Sequence, residues 1–558
     1  MSARPATGWT LTACIGAQSK GYSFAPEARN MEILVTDPIA DAGLALLRDA
    51  GHTVETAYDV EGHSLYDAIS DANGLIVRSG TDVTADVLES APELAIVGRA
   101  GIGTDNIDIE AATDRGVIVA NAPEGNVRAA AEHTVAMTFA AARSVPQAHA
   151  RLKEGEWAKG DFLGTELNGK TLGVVGLGRV GQEVARRLDS LGMELVAYDP
   201  YIAESRADRL GAELVELDEC ISRADVLTVH TPLTPETEDL ISDTELDRME
   251  GGYLVNCARG GVVDEAALAR AVADGTLRGA AVDVFADEPV SPNNPLLDVE
   301  NVVVTPHLAA STEAAQEHVA TSIAEQVLAA LEDRPVANAL NAPSIDESAF
   351  PRIRPYIDIA ETAGRIAVQL FDERVAEVEV TYAGEIAAED VDLVTASALK
   401  GVFRPLEWQV NAVNAPRVAD ERGIEVSEVK RRQAEDFQSL VTVAVRDDDG
   451  SEMSVCGTLF AGEDPRIVRV DGFRVDAIPG GRMMVTRNAD APGVIGLIGT
   501  VMGEHDINIA GMYNAREAHS GEAMTVYNVD QAVPEEAREK LEADERIIST
   551  RYITLNDG

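Results

Sequence analysis

The sequence predicts an α/β protein: two lobes built on parallel sheets, then an α+β region, then a small βαββαβ module. Three observations predict it. Residues 31–310 alternate short apolar runs with amphipathic stretches, as strands covered by helices on both faces require. The alternation comes in two series, one ending near residue 121 and one starting near 170. After Pro335 the pattern changes to one helical stretch near 345–371, followed by strands and turns.

The first series has strand candidates at 32–36, 74–78, 94–98 and 117–120, with an amphipathic stretch over 41–50. A long helical segment over 127–155 leads to the second series, at 172–176, 194–198, 226–230, 252–256, 280–284 and 302–304. Another amphipathic stretch covers 265–274. A helix over 311–331 follows and crosses back toward the first lobe. Asp447-Asp448-Asp449-Gly450 reads as a hairpin turn, and Pro479-Gly480-Gly481 marks the next boundary. The end reads strand 482–487, helix 492–504, strands 507–514 and 523–529, helix 533–545, strand 547–555. That is a ferredoxin-like order.

Composition narrows the function classes. The chain has 558 residues, 45% of them hydrophobic, enough for several cores. Its 95 acidic and 46 basic side chains give a net charge of −49. Such a field repels phosphate backbones and anionic lipid, so neither nucleic acid nor a membrane surface is an expected partner. Only 7 of the basic residues are Lys. An acidic, Lys-poor surface suits a salt-rich cytoplasm, where self-repulsion is screened. The four cysteines, 14, 220, 257 and 456, match neither a disulfide framework nor a zinc site, and no metal is expected. No apolar run reaches membrane-spanning length. Residues 1–30 are slightly basic, unlike the rest, and are expected to be a disordered extension, with Met31 the natural start.

The strongest single motif is Gly176-Leu177-Gly178-Arg179-Val180-Gly181. A strand candidate precedes it and a helix candidate follows. Asp199, eighteen residues beyond Gly181, ends the next strand candidate. Gly176 permits the tight turn, Gly178 admits a pyrophosphate, and Gly181 lets helix and strand pack, as in a Rossmann unit. The helix N-terminus offers N–H groups to the phosphates. Asp199 suits a free ribose hydroxyl and disfavours a 2′-phosphate, so NAD is the expected cofactor.

Three polar residues follow later strand candidates: Arg259, Glu288 and His307. Ligands bind outside the carboxyl ends of strands in open α/β sheets. An imidazole can take a hydroxyl proton, a carboxylate can orient it, and an Arg fork can hold a substrate carboxylate. Arg78 and Arg99 also end strand candidates. In so acidic a chain, two Arg facing a cleft would attract a phosphate and a carboxylate.

These residues sit in recognisable motifs: 98–106 (Gly-Arg-Ala-Gly-Ile-Gly-Thr-Asp-Asn), the glycine fingerprint with Asp199, 229–232 (Val-His-Thr-Pro), 256–261 (Asn-Cys-Ala-Arg-Gly-Gly), Asp283-Val284-Phe285 and Thr305-Pro306-His307. Over residues 31–558 the chain resembles the D-isomer-specific 2-hydroxyacid dehydrogenases, in particular the long members acting on 3-phosphoglycerate. The resemblance implies two Rossmann-like or flavodoxin-like lobes: a substrate lobe over 31–125 and 312–342, and an NAD lobe over 126–311. It also implies an intervening domain over 343–480 and an ACT domain over 481–558.

The resemblance further implies roles. Arg259 binds substrate, and Glu288 pairs with His307, the acid/base. Arg179 and Val180 lie over the pyrophosphate. Thr231, Cys257, Ala258, Asp283, His307, Ala309 and Ala310 line the nicotinamide side. Arg78, Ser79 and Arg99 bind substrate, with Asn121 and Asn126 as further polar contacts. Asp490 and Asn508 fall where relatives bind L-serine, a possible effector. Ile102 and Ala309-Ala310 depart from residues common in relatives, Thr and Gly respectively. A cytoplasmic homo-oligomer, dimer or tetramer, is implied. Two alternatives stand beside this reading: an NADH-dependent hydroxypyruvate or glyoxylate reductase, and a non-catalytic NAD-sensing protein on the same scaffold.

Overall fold

A computed structural model describes residues 30–58, 62–345, 348–406, 409–462, 464–516 and 521–555. The expected extension at 1–30 lies outside them, Asn30 excepted.

The first sheet holds β1 (Glu32–Val35), β2 (Thr53–Thr56), β3 (Gly74–Val77), β4 (Ile96–Arg99) and β5 (Ile118–Asn121). All are parallel, in the order β2-β1-β3-β4-β5. This is the flavodoxin-like doubly wound order. The second sheet holds β6 (Thr171–Val175), β7 (Glu194–Tyr198), β8 (Ala212–Leu214), β9 (Val226–Val229), β10 (Tyr253–Asn256), β11 (Gly279–Val282) and β12 (Val302–Val304). Its order is β12-β11-β10-β9-β6-β7-β8, again all parallel. The chain winds outward from β6 both ways, as in a Rossmann sheet. The central strands are buried along their length, so they read as nearly continuous apolar runs, with Thr228 and Asn256 the exceptions in β9 and β10.

β2 and β8 are not among the strands the pattern predicts. Both are edge strands, and the Thr-Val-Glu-Thr of β2 is largely exposed. An edge strand with a wet face carries no apolar run to betray it. The single helix expected over 127–155 is two, Val127–Ala142 and Val145–Lys153. Pro146 lies in the first turn of the second helix. It has no N–H for the carbonyl of Ala142, so the first helix stops there. Ser144 makes the corner with φ +45°.

The chain then returns. Helix Glu313–Leu331 follows β12 and packs on the first sheet and on helix Asp41–Asp49. Gly43 permits that contact: a Cβ there would lie 2.6 Å from the Ala320 carbonyl oxygen. Residues 336–341 complete the return. Leu340 N–H donates to the Val119 carbonyl, and the Asn341 side chain bonds Val117 and Val119.

The third sheet is mixed: β13 (Glu377–Gly384), β14 (Glu425–Arg431), β15 (Ser439–Arg446), β16 (Glu452–Phe460), β17 (Asp464–Val470) and β18 (Phe473–Ala477), ordered β14-β13-β15-β16-β17-β18. Residues 447–451 turn β15 into β16, as expected. Helix Phe350–Leu370 lies over this sheet beside helix Asp392–Phe403, which the pattern does not predict. Nearly every residue of 394–403 is buried, so that helix shows no amphipathic stripe. Asn411 and Asn414 dock this region on the first lobe, donating to the Gly116 and Asp114 carbonyls at 2.7 and 3.3 Å.

The fourth sheet holds β19 (Arg482–Ala489), β20 (Ile509–Arg516), β21 (Glu522–Val529) and β22 (Ile547–Thr554). Its antiparallel order β20-β21-β19-β22, with helices Val494–Glu504 and Glu535–Glu542, is the ferredoxin-like order.

Candidate active site

The two parallel sheets turn their carboxyl ends toward one cleft. A cavity of about 1200 Å³ opens there, lined from both lobes. Arg78, Ser79, Arg99, Asn121 and Asn126 come to it from the ends of β3, β4 and β5. Gly178, Arg179, Val180, His230, Thr231, Cys257, Ala258, Arg259, Glu288, His307, Ala309 and Ala310 come from the second lobe.

The imidazole is held from one side. His307 Nδ1 lies 2.7 Å from Glu288 Oε2, and Glu288 Oε1 accepts from the Phe285 N–H at 3.0 Å. Burial pushes the Glu288 carboxyl upward, but these two hydrogen bonds outweigh it and hold it below the usual carboxylate range. With Nδ1 engaged, Nε2 is the nitrogen left for a ligand. His307 itself adopts φ +53°. Its N–H donates to the Asp283 carbonyl at 2.8 Å, which keeps that left-handed conformation in place.

Asp283 does not line the cavity, contrary to expectation. Its side chain is fully buried behind the loop. Oδ1 accepts from the Thr305 hydroxyl at 2.6 Å and the Leu308 N–H at 2.8 Å, and Oδ2 accepts from the Ala309 N–H at 2.9 Å. Both oxygens are occupied by the chain's own groups.

Three arginines, Arg78, Arg99 and Arg259, line the same cavity. Arg259 projects from the turn after β10, where Asn256 accepts from the Ala258 N–H and donates to the Arg259 carbonyl. Its Nε lies 3.3 Å from Asp105 Oδ2, an ion pair between the lobes. Arg99 and Arg259 lie across glycines. A Cβ on Gly101 would be 1.5 Å from Arg99 Nη1, and one on Gly103 1.9 Å from Arg259 Nη2. Burial, then the charges of Arg259 and Arg78, bring the Arg99 guanidinium down to about 10, against the attraction of Asp105 and Asp37. Its Nε is buried without a partner among the described residues. Arg78 is set by Asp37, which accepts its backbone N–H, and by Asn106, which donates to its carbonyl at 2.7 Å. Asn121 braces rather than reaches outward: its amide donates to the Ile102 carbonyl at 2.6 Å. Asn126 Oδ1 is likewise buried without a partner among the described residues.

The glycine turn after β6 fits a dinucleotide. Gly176 has φ +91° and lies close under the His230 carbonyl. Gly181 could carry no side chain, because a Cβ would be 2.2 Å from the Gly176 carbonyl oxygen. Gly178 is different. A Cβ there would meet nothing within 4 Å among the described residues, so the chain's own packing does not require a glycine; an approaching pyrophosphate does. Thr231 Oγ1, on the cavity wall, is buried without a partner among the described residues. Asp199 accepts from the Leu177 and Tyr201 N–H groups at 2.8 and 2.9 Å, beside the same turn. Burial holds Cys257 as a thiol, raised to about 12.

Some groups at the site carry no role that the sequence predicts. Asp105 and Asn106 lie in a recognisable motif, so their position is legible and their contacts are not. His230 stands between β9 and Thr231 with Nε2 2.9 Å from Thr228 Oγ1. Gln316 and residues 337–340 reach the cavity only because the chain returns. In the fourth sheet, Asp490 faces Arg516 at 3.4 Å, and Asn508 donates to Asp530 at 2.6 Å.

A dinucleotide cradle beside an imidazole–carboxylate pair and an arginine cluster defines a nicotinamide-dependent oxidoreductase. The comparisons agree. The family model of the D-isomer specific 2-hydroxyacid dehydrogenase NAD binding domain matches residues 135–309. The family model of the D-3-phosphoglycerate dehydrogenase intervening domain matches residues 352–471. The D-3-phosphoglycerate dehydrogenase of Archaeoglobus fulgidus is 42% identical over 94% of this chain and all of its own length. That of Methanocaldococcus jannaschii is 42% identical over the same shares. Among solved structures, a protein of Thermus thermophilus is 35% identical with a TM-score of 0.53, covering 56% of this chain and all of its own. The D-lactate dehydrogenase of Aquifex aeolicus, complexed with NAD and lactic acid, is 27% identical with a TM-score of 0.51 over the same shares. The chain belongs to the D-3-phosphoglycerate dehydrogenase family, within the D-isomer specific 2-hydroxyacid dehydrogenases, and is an NAD-dependent enzyme.

Proposed function

We propose that the enzyme oxidises 3-phospho-D-glycerate to 3-phosphooxypyruvate, the first committed step toward L-serine. The observation that carries this reading is the trio Arg78, Arg99 and Arg259 in one cavity with the His307–Glu288 pair. A substrate with a phosphate at one end and a carboxylate at the other supplies the charges the trio lacks. Arg259 holds the carboxylate beside the reacting carbon. Arg78 and Arg99 receive the phosphate, with Ser79 and Asn126 as polar neighbours. His307 Nε2 takes the hydroxyl proton, and Glu288 stabilises the imidazolium that forms. NAD, when bound along the Gly176–Gly181 turn with Thr231 and Asp199 at hand, supplies the hydride acceptor.

The test is a turnover assay with NAD in molar KCl, run at alkaline pH because the oxidation releases a proton. 3-Phosphoglycerate should exceed unphosphorylated glycerate in kcat/KM by at least about a hundredfold, because a site built for a phosphate leaves its arginines unpaired without one. Comparable rates on both, or faster reduction of hydroxypyruvate or glyoxylate, would overturn the reading.

The same reading includes feedback by L-serine through residues 481–558, with Asp490 and Asn508 as its contacts. Calorimetric titration with serine, repeated on Asp490→Ala, checks it. It also includes a cytoplasmic homo-oligomer. No described helix is long and apolar enough to cross a membrane. Leu152, Trp157 and Leu163 are strongly exposed on one stretch of the NAD lobe, which supports self-association.

A further inference from the structure

A third histidine, His133, lies behind the active-site loop. It sits on helix Val127–Ala142, whose capping residue Asn126 and first-turn Ala130 line the cavity. Its Nε2 is 3.2 Å from Asp283 Oδ1 and 3.3 Å from Thr305 Oγ1. The proton count is decided by the neighbours. Thr305 donates its hydroxyl hydrogen to Asp283 at 2.6 Å. The Asp283 carboxylate also accepts the Leu308 and Ala309 N–H groups. Each of these two groups is therefore an acceptor toward His133 Nε2, and Nε2 carries the hydrogen.

Asp283 is the anchor of the loop that bears His307: its carbonyl takes the His307 N–H and its carboxylate takes the next two. Thr305, Leu308 and Ala309 all belong to the segment running from β12 into that loop. Among the described residues, His133 alone bonds the carboxylate from a different element, the helix joining the lobes. Met137, one turn further on, sets its sulfur 3.8 Å from the same Thr305 hydroxyl. We propose that His133 is a positioning residue: its Nε2–H orients the Asp283 carboxylate from the inter-lobe helix and so fixes the His307 imidazole for proton transfer. A displacement of a fraction of an ångström at a proton-transferring group is enough to slow the reaction.

The proposal rests on the reading of His307 as the acid/base, and His307→Ala separates the two. If that variant keeps its turnover, the acid/base reading fails and this proposal with it; if it loses turnover while the His133 variants behave like the wild type, only this proposal fails. His133→Gln and His133→Met are nearly equal in shape and differ in whether an N–H faces Asp283. His133→Met should lower kcat about tenfold while KM for each substrate stays within about twofold, since binding groups are untouched. His133→Gln should recover kcat to within about threefold of the wild type, because its amide N–H replaces the imidazole N–H. Both should melt at similar temperatures. A Met variant with undiminished kcat, or a Gln variant as slow as the Met variant, overturns the proposal. Should the Met variant not fold, a Gln variant slowed more than about tenfold overturns it alone, and one within about threefold supports it.

Discussion

At the reacting end of the cleft, Glu288 accepts from His307 and from the Phe285 N–H, and its carboxyl stays below the usual range despite burial. Glu288→Gln keeps the shape and removes the charge that, in the proposed reaction, stabilises the imidazolium. Turnover with saturating substrates should fall by about 10- to 100-fold with KM little changed. Asp105 works in the other direction. It pairs with Arg259 across the cleft, where a substrate carboxylate would compete for the same guanidinium. Asp105→Asn should therefore lower KM for the hydroxy acid by a few fold, about 1 kcal/mol, measured by initial rates. His230 gives a pH dependence. Burial pushes it down to about 4, below the ordinary value near 6.5. Between these values the unfolded chain binds a proton that the folded chain refuses, so stability is full above about pH 6.5 and falls as pH drops toward about 4. From about pH 7 to about pH 5 a His230→Asn variant should lose about 2 kcal/mol less than the wild type in urea unfolding, the equivalent of about one and a half pH units.

The helices show where packing replaces pattern. Gly43 lies so close to Ala320 that a Cβ would meet backbone at 2.6 Å. Gly43→Ala should push helix Asp41–Asp49 off helix Glu313–Leu331 and cost about 1–3 kcal/mol in thermal unfolding. The amphipathic stretch over 41–50 is legible, but its partner is not, because the partner arrives some 270 residues later. The ends of the helix-covered strands are legible for a related reason: a strand buried on both faces is largely apolar, and charged residues at or just past its carboxyl end mark the cleft. Arg78, Arg99, Arg259 and His307 stand out that way. Asp283 stands out too, but its direction does not, since a residue just past a strand can point to the cavity or behind the loop. β2, β8 and helix Asp392–Phe403 escape because an edge strand can be polar and a buried helix has no polar stripe.

Across the whole molecule, the net charge of −49 is spread over a surface that pairs many of its arginines with carboxylates. The unpaired excess is acidic, and its self-repulsion opposes the folded state. Raising KCl from about 0.1 to about 3 M should raise the melting temperature by several degrees, since the screening length drops from about 10 Å to under about 3 Å; an unchanged or lower midpoint would show that surface ion pairs matter more. The long span of the resemblance follows from the order of elements, which local patterning carries: periods of apolar residues, glycines at turns, one fingerprint for a dinucleotide. By itself the sequence determined the succession of four folding units and the cofactor class, and it singled out the side chains proposed to react. These are properties of short segments, and short segments have their own physics. Only the tertiary structure decided which groups meet. It set Asp105 of one lobe against Arg259 of the other, turned Asp283 behind the His307 loop and brought His133 to it. Such contacts depend on how helices and sheets lie on one another, and the energy that selects that arrangement comes from residues far apart in the chain.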